Sequence, residues 1–133
     1  PKAATPDIKS ADGGVLVLDA DALAGGMTVM DSTAPFDING NAPVQKDNIA
    51  FTNDAGNMFV GMWDSTAFES EMKPFPCYEF VRLLEGDITI TEGDGTVHEF
   101  TSGDMFFIPE GTVCSWKTTG YVKKFYSILD TSA

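Results

Sequence analysis

The run from Gly103 to Cys114 constrains the fold of this chain more than any other segment. It starts at a turn glycine, continues through the apolar block 105–108 and then reaches a Pro-x-Gly step formed by Pro109 and Gly111. Proline fixes its own φ and glycine can adopt a positive φ, so this step reverses a chain sharply. The run therefore predicts two short strands, 105–108 and 112–118, joined by a tight turn.

Short strands separated by turn residues are predicted along most of the remaining chain. From residue 48 onward the predicted strands are 48–53, 57–64, 66–73, 77–85, 87–92, 96–101, 105–108, 112–118 and 121–129. Upstream, the sequence predicts a strand at 15–18, a helical turn from Asp19 to Gly26 and a loop over 31–47. Many short strands with little helical periodicity are typical of an all-β sandwich or barrel.

The charge of the chain argues against several classes of partner. Twenty acidic residues against eight basic ones give a net charge of -12, which repels phosphate backbones and anionic lipid, so we expect no nucleic acid and no membrane partner. The polar stretch 1–14 lacks the apolar centre of a secretory signal and predicts a flexible tail before one domain at 15–133. Cys77 and Cys114 are too few for a disulfide scaffold, so we expect reduced thiols and a cytoplasmic protein.

Two spaced motifs resemble those of the cupin superfamily. Glu79 is followed after six residues by Gly86, and the run 103–114 follows the second cupin motif. With Trp63 and Trp116 in order around them, the segment 57–129 resembles the Cupin 3 group, which includes ureidoglycine aminohydrolase-like and ethanolamine-utilisation-protein-like domains. The resemblance implies an all-β cupin double-stranded β-helix, or jelly-roll barrel, with an irregular N-terminal extension, an interior pocket and a homodimer.

The metal ligands that this resemblance would imply are mostly replaced. The positions of the family's three histidines and its later asparagine hold Lys73 and Phe75 (or Met72 and Pro74), Cys114 and Thr118. Only Glu79 remains, and one carboxylate with one thiol is a poor cage for iron, manganese or nickel. We therefore expect no cofactor. If a metal were bound, Glu79, Cys114 and the single histidine, His98, would be its ligands.

The candidate site residues follow from strand parity and from the resemblance. If Glu79 points into the barrel, its strand neighbours at even spacing share that face, and Cys114 shares a face with Trp116. The catalytic candidates are Glu79 as general acid or base, assisted by Cys114 or Lys73. The ligand-binding candidates are Trp63, Phe75, Cys77, Phe106, Trp116 and Tyr121.

Each candidate also has a purely structural interpretation. On that interpretation, Glu79 is held by hydrogen bonds alone, Cys114 fills space as a small apolar side chain, and Lys73 and His98 lie on the surface. Three functions stay open from the sequence. The first is a small cupin-domain protein that binds a small polar metabolite in the barrel. The second is a small-molecule hydrolase, lyase or isomerase that uses Glu79, and the third is a structural subunit with a closed interior.

Overall fold

The computed structural model describes residues 14–132. The tail predicted over residues 1–14 therefore lies, apart from Gly14, outside the described residues. None of the helices in the described range is long and apolar enough to cross a membrane. The elements are α1 (Ala20–Ala24), β1 (Thr28–Val29), β2 (Gln45–Thr52), β3 (Met58–Ser65), β4 (Lys73–Pro74), β5 (Tyr78–Glu85), β6 (Asp87–Glu92), β7 (Val97–Thr101), β8 (Met105–Ile108), β9 (Val113–Lys117) and β10 (Val122–Leu129).

Two antiparallel sheets enclose the core, which confirms the predicted all-β cupin fold. The larger sheet has the strand order β1-β2-β3-β10-β5-β8, and the smaller has the order β4-β9-β6-β7. Strands close in sequence, such as β5 and β6, lie in different sheets, and β10 returns between β3 and β5. This alternation between sheets is the jelly-roll arrangement expected from the sequence.

The predicted Pro-x-Gly turn forms between β8 and β9. Gly111 has φ +90°, a conformation that residues with a Cβ rarely adopt. The turn is fixed by hydrogen bonds from Gly111 N to Phe75 O at 2.8 Å and from Thr112 N to Pro109 O at 3.2 Å. The first of these ties the turn to the segment before β5, which brings the two cupin motifs together.

The predicted helical turn is also present, at Ala20–Ala24. The Asp19 side chain accepts hydrogen bonds from Asp21 N and Ala22 N, and Gly25 caps the other end. Asp19 is thus the N-cap of this helical turn. Leu23 is completely buried and packs with Ala50 and Met62 against the outer face of the larger sheet.

Two predicted strands are wrong. Residues 15–18 form no strand because this apolar run has no partner strand; Val15 and Val17 are 93% and 76% exposed, while Leu16 packs against the cluster around Leu23. The segment 66–73 crosses between the sheets, and within it only the isolated bridges at Glu69 and Ser70 and the start of β4 at Lys73 pair with other strands.

Buried and exposed residues alternate strictly along the segment that follows β4 and along β5. Phe75, Cys77, Glu79, Val81 and Leu83 are all buried, and the residues between them are exposed. Pro74 and Pro76 do not break this period, so the parity predicted for Glu79 extends upstream through both prolines. The result is a single carboxylate on an otherwise apolar interior face.

Candidate functional site

The centre of the candidate site is a buried ion pair between Glu79 on β5 and Lys124 on β10. Lys124 Nζ lies 2.7 Å from Glu79 Oε2, and the side chains are 5% and 2% exposed. The ammonium lies at the distance of a charge-assisted contact from a carboxylate oxygen that is itself buried. Burying two charges is costly unless they compensate one another, so neither residue is an ordinary core residue.

Two tryptophan rings complete the surroundings of the ammonium. Lys124 Nζ lies 4.4 Å from the ring centroid of Trp63 and 4.6 Å from that of Trp116. An ammonium over an indole face is attracted by the ring quadrupole, by about 2 kcal/mol or more when water is excluded. Trp63 is oriented by its own indole N–H, which donates to Gln45 Oε1 at 2.7 Å. The aromatic cage and Glu79 together fix the position of Lys124.

A second acidic group, Asp47 on β2, lies near this pair. The Tyr126 hydroxyl donates to Asp47 Oδ1 at 2.7 Å, and desolvation raises the pKa of Asp47 against the opposing effect of that hydrogen bond. The phenol reaches Asp47 because Gly61 lies beneath it: a Cβ there would stand 2.8 Å from the hydroxyl oxygen and would clash with Asn48 O. Gly61 is thus required by close approach.

A cavity of about 260 Å³ opens beside these groups, and we call it the Glu79 cavity. Its charged lining is Asp47, Glu79, Lys124 and Asp130, and its remaining wall is largely apolar and aromatic. Cys77 also lines it, with a pKa raised to about 12 by desolvation and by the Glu79 and Asp130 charges. At neutral pH Cys77 is therefore a protonated, unreactive thiol.

A second cavity, of about 440 Å³, lies between β6, β7, β8 and β9, and we call it the Cys114 cavity. Its polar groups include Cys114 and a pair in which His98 Nε2 is 2.6 Å from Glu92 Oε2. Phe100 and Phe106 stack in its wall at a centroid distance of 4.1 Å. Desolvation raises the pKa of the Cys114 thiol, so burial disfavours the thiolate that nucleophilic attack would need.

Trp116 is packed between lining residues of the two cavities. Its ring centroid is 5.0 Å from that of Phe36 in the lining of the Glu79 cavity and 6.0 Å from that of Phe106 in the lining of the Cys114 cavity. It is also stacked on Phe75 at 6.0 Å. The barrel interior is therefore divided by aromatic side chains, and Glu79 and Cys114 line different cavities.

The predicted site residues are distributed accordingly. Trp63 and Cys77 line the Glu79 cavity with Glu79 itself, whereas Phe106 and His98 line the Cys114 cavity with Cys114. Phe75 and Trp116 are packed in the core. The structure thus gives the location of each residue, and the predicted roles stay predictions.

Besides Phe75 and Trp116, two further candidates lie outside both linings. Lys73 is paired with Cys114 across β4 and β9, but its ammonium contacts Asp37 Oδ2 at 3.1 Å near the surface. Tyr121 is 46% exposed and donates to Asp64 Oδ2 at 2.7 Å. The expected assistance of Lys73 to Glu79 therefore has no support from its position.

Sequence reasoning did not select Lys124, Asp47 or Tyr126 as site residues. A recognisable pattern existed for Lys124: in a strand, one of two consecutive lysines, here Lys123 and Lys124, must face inward. Nothing in the sequence could have identified Asp47, since its position depends on the pairing of Asp47 with Trp63 across β2 and β3. The predicted loop over 31–47 also ends early, because β2 begins at Gln45.

The comparisons with known proteins agree with this architecture. The sequence model of the EutQ-like cupin domain, Cupin_3, matches residues 52–126, which is more than half of the chain. The chain belongs to the EutQ-like cupin family. A search of curated proteins finds no match to it.

Solved structures resemble this EutQ-like cupin over most of its length. A protein of unknown function of the DUF861 family from Pseudomonas syringae is 31% identical over 95% of this chain and 51% of its own, with a TM-score of 0.79. The putative ethanolamine utilization protein Q from Salmonella typhimurium is 21% identical over 96% and 97% of the two chains, with a TM-score of 0.63. The EutQ protein of Clostridium difficile is 21% identical over 80% and 82%, with a TM-score of 0.58. The chain spans about half the length of the Pseudomonas protein.

The metal site that the cupin resemblance implies does not fit the residues of this EutQ-like cupin. Within residues 14–132, no three His, Cys, Asp or Glu side chains are grouped so that they could hold a metal ion. The family positions for histidine hold an amine, a phenyl ring and a thiol, and the Lys124 ammonium stands against Glu79 Oε2. A cation at Oε2 would have to displace an ammonium held by two tryptophans, so we derive no chemistry through a metal.

Proposed function

We propose that this EutQ-like cupin binds a small polar metabolite inside its barrel, in the Glu79 cavity. The observation that carries this proposal is a nearly fully buried ion pair, Glu79 with Lys124, that lines a cavity together with Asp47 and Asp130. Keeping several ionisable groups out of water around one cavity is costly for the fold alone. The polar groups of a bound molecule would offset that cost.

The size and lining of the cavity agree with a small ligand. About 260 Å³ lies just below the roughly 300–1,000 Å³ typical of sites for drug-sized molecules. A few convergent polar groups on an apolar wall are the usual composition of such a site. The third possibility from the sequence, a structural subunit with a closed interior, gains no support from a barrel with this cavity.

Acid–base catalysis at the same place is the second candidate, and one observation favours it. Glu79 has Lys124 beside it, and Asp47 with Tyr126 lines the same cavity. A hydrolase, lyase or isomerase could move a proton through Glu79 with these groups in place of the Cys114 or Lys73 assistance expected from the sequence. Turnover of a bound compound that is lost in Glu79→Gln while binding persists would establish this function.

The binding proposal is tested by isothermal titration calorimetry with three probes of matched shape: n-butylamine, butyramide and butyrate. We expect at least one probe to bind with a Kd below about 1 mM. Glu79→Gln should weaken that probe at least about tenfold. Glu92→Gln, which changes the equivalent group in the Cys114 cavity, is the matched control and should leave the affinity unchanged. Failure of all three probes, or loss of binding in the control variant only, would reject the proposal.

We also propose a homodimer through the outer face of β5 and β8. Tyr78, Phe80 and Phe107 are exposed there, and the rings of Tyr78 and Phe107 stack at 6.4 Å. The other half of this sheet face is covered by α1, so the uncovered half is the part left for a second copy. Sedimentation should show a dimer that Phe107→Glu dissociates, and a monomeric wild-type protein would exclude it. The cytoplasmic location stays a prediction.

A further inference from the structure

Carboxylates outnumber cationic groups around the Glu79 cavity. Asp47, Glu79 and Asp130 line it, against the single ammonium of Lys124. That ammonium is already committed, since Glu79 Oε2 lies 2.7 Å away and the rings of Trp63 and Trp116 lie on it. The positive charge available to a ligand is therefore small, and the surplus charge in the cavity is negative.

Neighbouring titratable groups respond to this negative field. The pKa of the Tyr126 phenol is raised by burial and then by the charges of Asp47 and Glu79. The pKa of the Cys77 thiol is raised by burial and then by Glu79 and Asp130. Burial is the larger cause in both groups and opposes a charge of either sign, whereas the acidic neighbours add a penalty for a negative charge alone.

Lys124 compensates only one of the three carboxylates. It lies against Glu79 Oε2 at 2.7 Å. Asp47 instead accepts a hydrogen bond from the Tyr126 hydroxyl, and within residues 14–132 neither Asp47 nor Asp130 forms a salt bridge with Lys, Arg or His. A cationic ligand would supply the missing countercharge.

The apolar part of the lining suits the body of such a ligand. Phe36, Phe59 and Trp63 contribute aromatic rings to the same cavity. An organic cation is attracted both by carboxylates and by aromatic faces, whereas a carboxylate ligand is attracted by neither. The cavity volume of about 260 Å³ admits a small organic molecule.

We infer that the occupant of the Glu79 cavity is a small organic cation, a primary ammonium on a short apolar body. The ammonium is placed beside Asp47 and Asp130, which Lys124 leaves uncompensated, and the apolar body lies against the aromatic wall. This inference rests on the proposed function, because it names the chemical class of the metabolite that the cavity binds.

The test is the order of affinities within the matched probe series. n-Butylamine is protonated at neutral pH, as lysine is, butyramide is a neutral N–H donor and butyrate is an anion. We expect n-butylamine to bind tightest and butyrate weakest. Asp47→Asn should weaken n-butylamine several-fold more than butyramide, whereas Asp94→Asn, the same charge change on the exposed β6–β7 turn, should weaken neither.

The outcomes separate the two proposals. If butyrate bound more tightly than n-butylamine, or if butyramide bound as tightly as n-butylamine, the inference of a cationic ligand would be wrong. The proposed binding function would still stand. Equal effects of Asp47→Asn and Asp94→Asn would also overturn the inference of a cationic ligand. The affinity would then depend on the net charge of the protein and not on a carboxylate in the cavity. Binding of none of the probes would reject the proposed function itself. Asp47→Asn keeps the test usable if Glu79 variants do not fold.

Discussion

Two acid–base pairs of almost equal length lie in the two cavities, and they differ in burial. Lys124 Nζ and Glu79 Oε2 are 2.7 Å apart with side chains 5% and 2% exposed, whereas His98 Nε2 and Glu92 Oε2 are 2.6 Å apart with side chains 42% and 36% exposed. Water screens the second pair and not the first. Distance alone therefore says little about which pair matters; the environment does.

A ranking by volume would favour the Cys114 cavity over the Glu79 cavity. The Cys114 cavity is larger, about 440 Å³ against about 260 Å³, but its His98–Glu92 pair is partly solvated and burial raises the pKa of its thiol. The smaller cavity holds a buried ion pair and two further carboxylates. We take this difference as the reason to assign binding to the Glu79 cavity, and the following variants test it.

Lys124→Met should give the largest effect. It leaves the Glu79 carboxylate buried without its ammonium, which costs about 3–5 kcal/mol in the free energy of unfolding. The matched control is Lys123→Met, because Lys123 pairs with the more exposed Glu85 at 2.8 Å on the other face of the same strand. The control should lose about 0–1 kcal/mol. Urea unfolding measures both, and equal losses would contradict the contrast between buried and exposed pairs.

The double variant Glu79→Leu, Lys124→Met sharpens the same comparison. Replacing both charges by apolar groups should recover most of the stability lost in Lys124→Met, because no unpaired buried charge remains. If the double variant stays as unstable as the single one, the loss comes from packing around the two tryptophans and not from an uncompensated carboxylate.

Gly61→Ala should give an intermediate effect. The new methyl group would push against the Tyr126 hydroxyl and Asn48 O, and overpacking of this kind costs about 1–3 kcal/mol. Gly120→Ala is the control, because a Cβ there meets nothing within 4 Å. Thermal unfolding should separate the two variants, and an unchanged Gly61→Ala protein would show that Tyr126 does not need this close approach.

His98→Gln should have the smallest effect. The pair with Glu92 is partly solvated, so its loss should change the free energy of unfolding by no more than about 1 kcal/mol. Urea unfolding at neutral pH is the measurement. A loss as large as that of Lys124→Met would mean that the His98–Glu92 pair stabilises the fold as much as the Glu79–Lys124 pair does. The assignment of the site to the Glu79 cavity would then have to be revised.

The fold was predictable from the sequence and the site only in part. Local turn chemistry at Pro109 and Gly111 and the alternation around Glu79 are short-range properties, and both are found in the structure. The separation of Glu79 from Cys114 is not local, since it depends on aromatic side chains such as Trp116 that meet only after the sheets have closed. Lys124 joins Glu79 from the last strand for the same reason.

The most direct test of the account is to observe which cavity a probe enters. Ile49 and Ile128 line the Glu79 cavity, whereas Ile90 and Ile108 line the Cys114 cavity. In a titration of isoleucine-methyl-labelled protein with n-butylamine, followed by NMR, we predict chemical-shift changes at Ile49 and Ile128 and none at Ile90; Ile108 is not used as a reporter because it pairs with Glu79 across β5 and β8. Changes at Ile90 alone would contradict the assignment of the Glu79 cavity as the binding site.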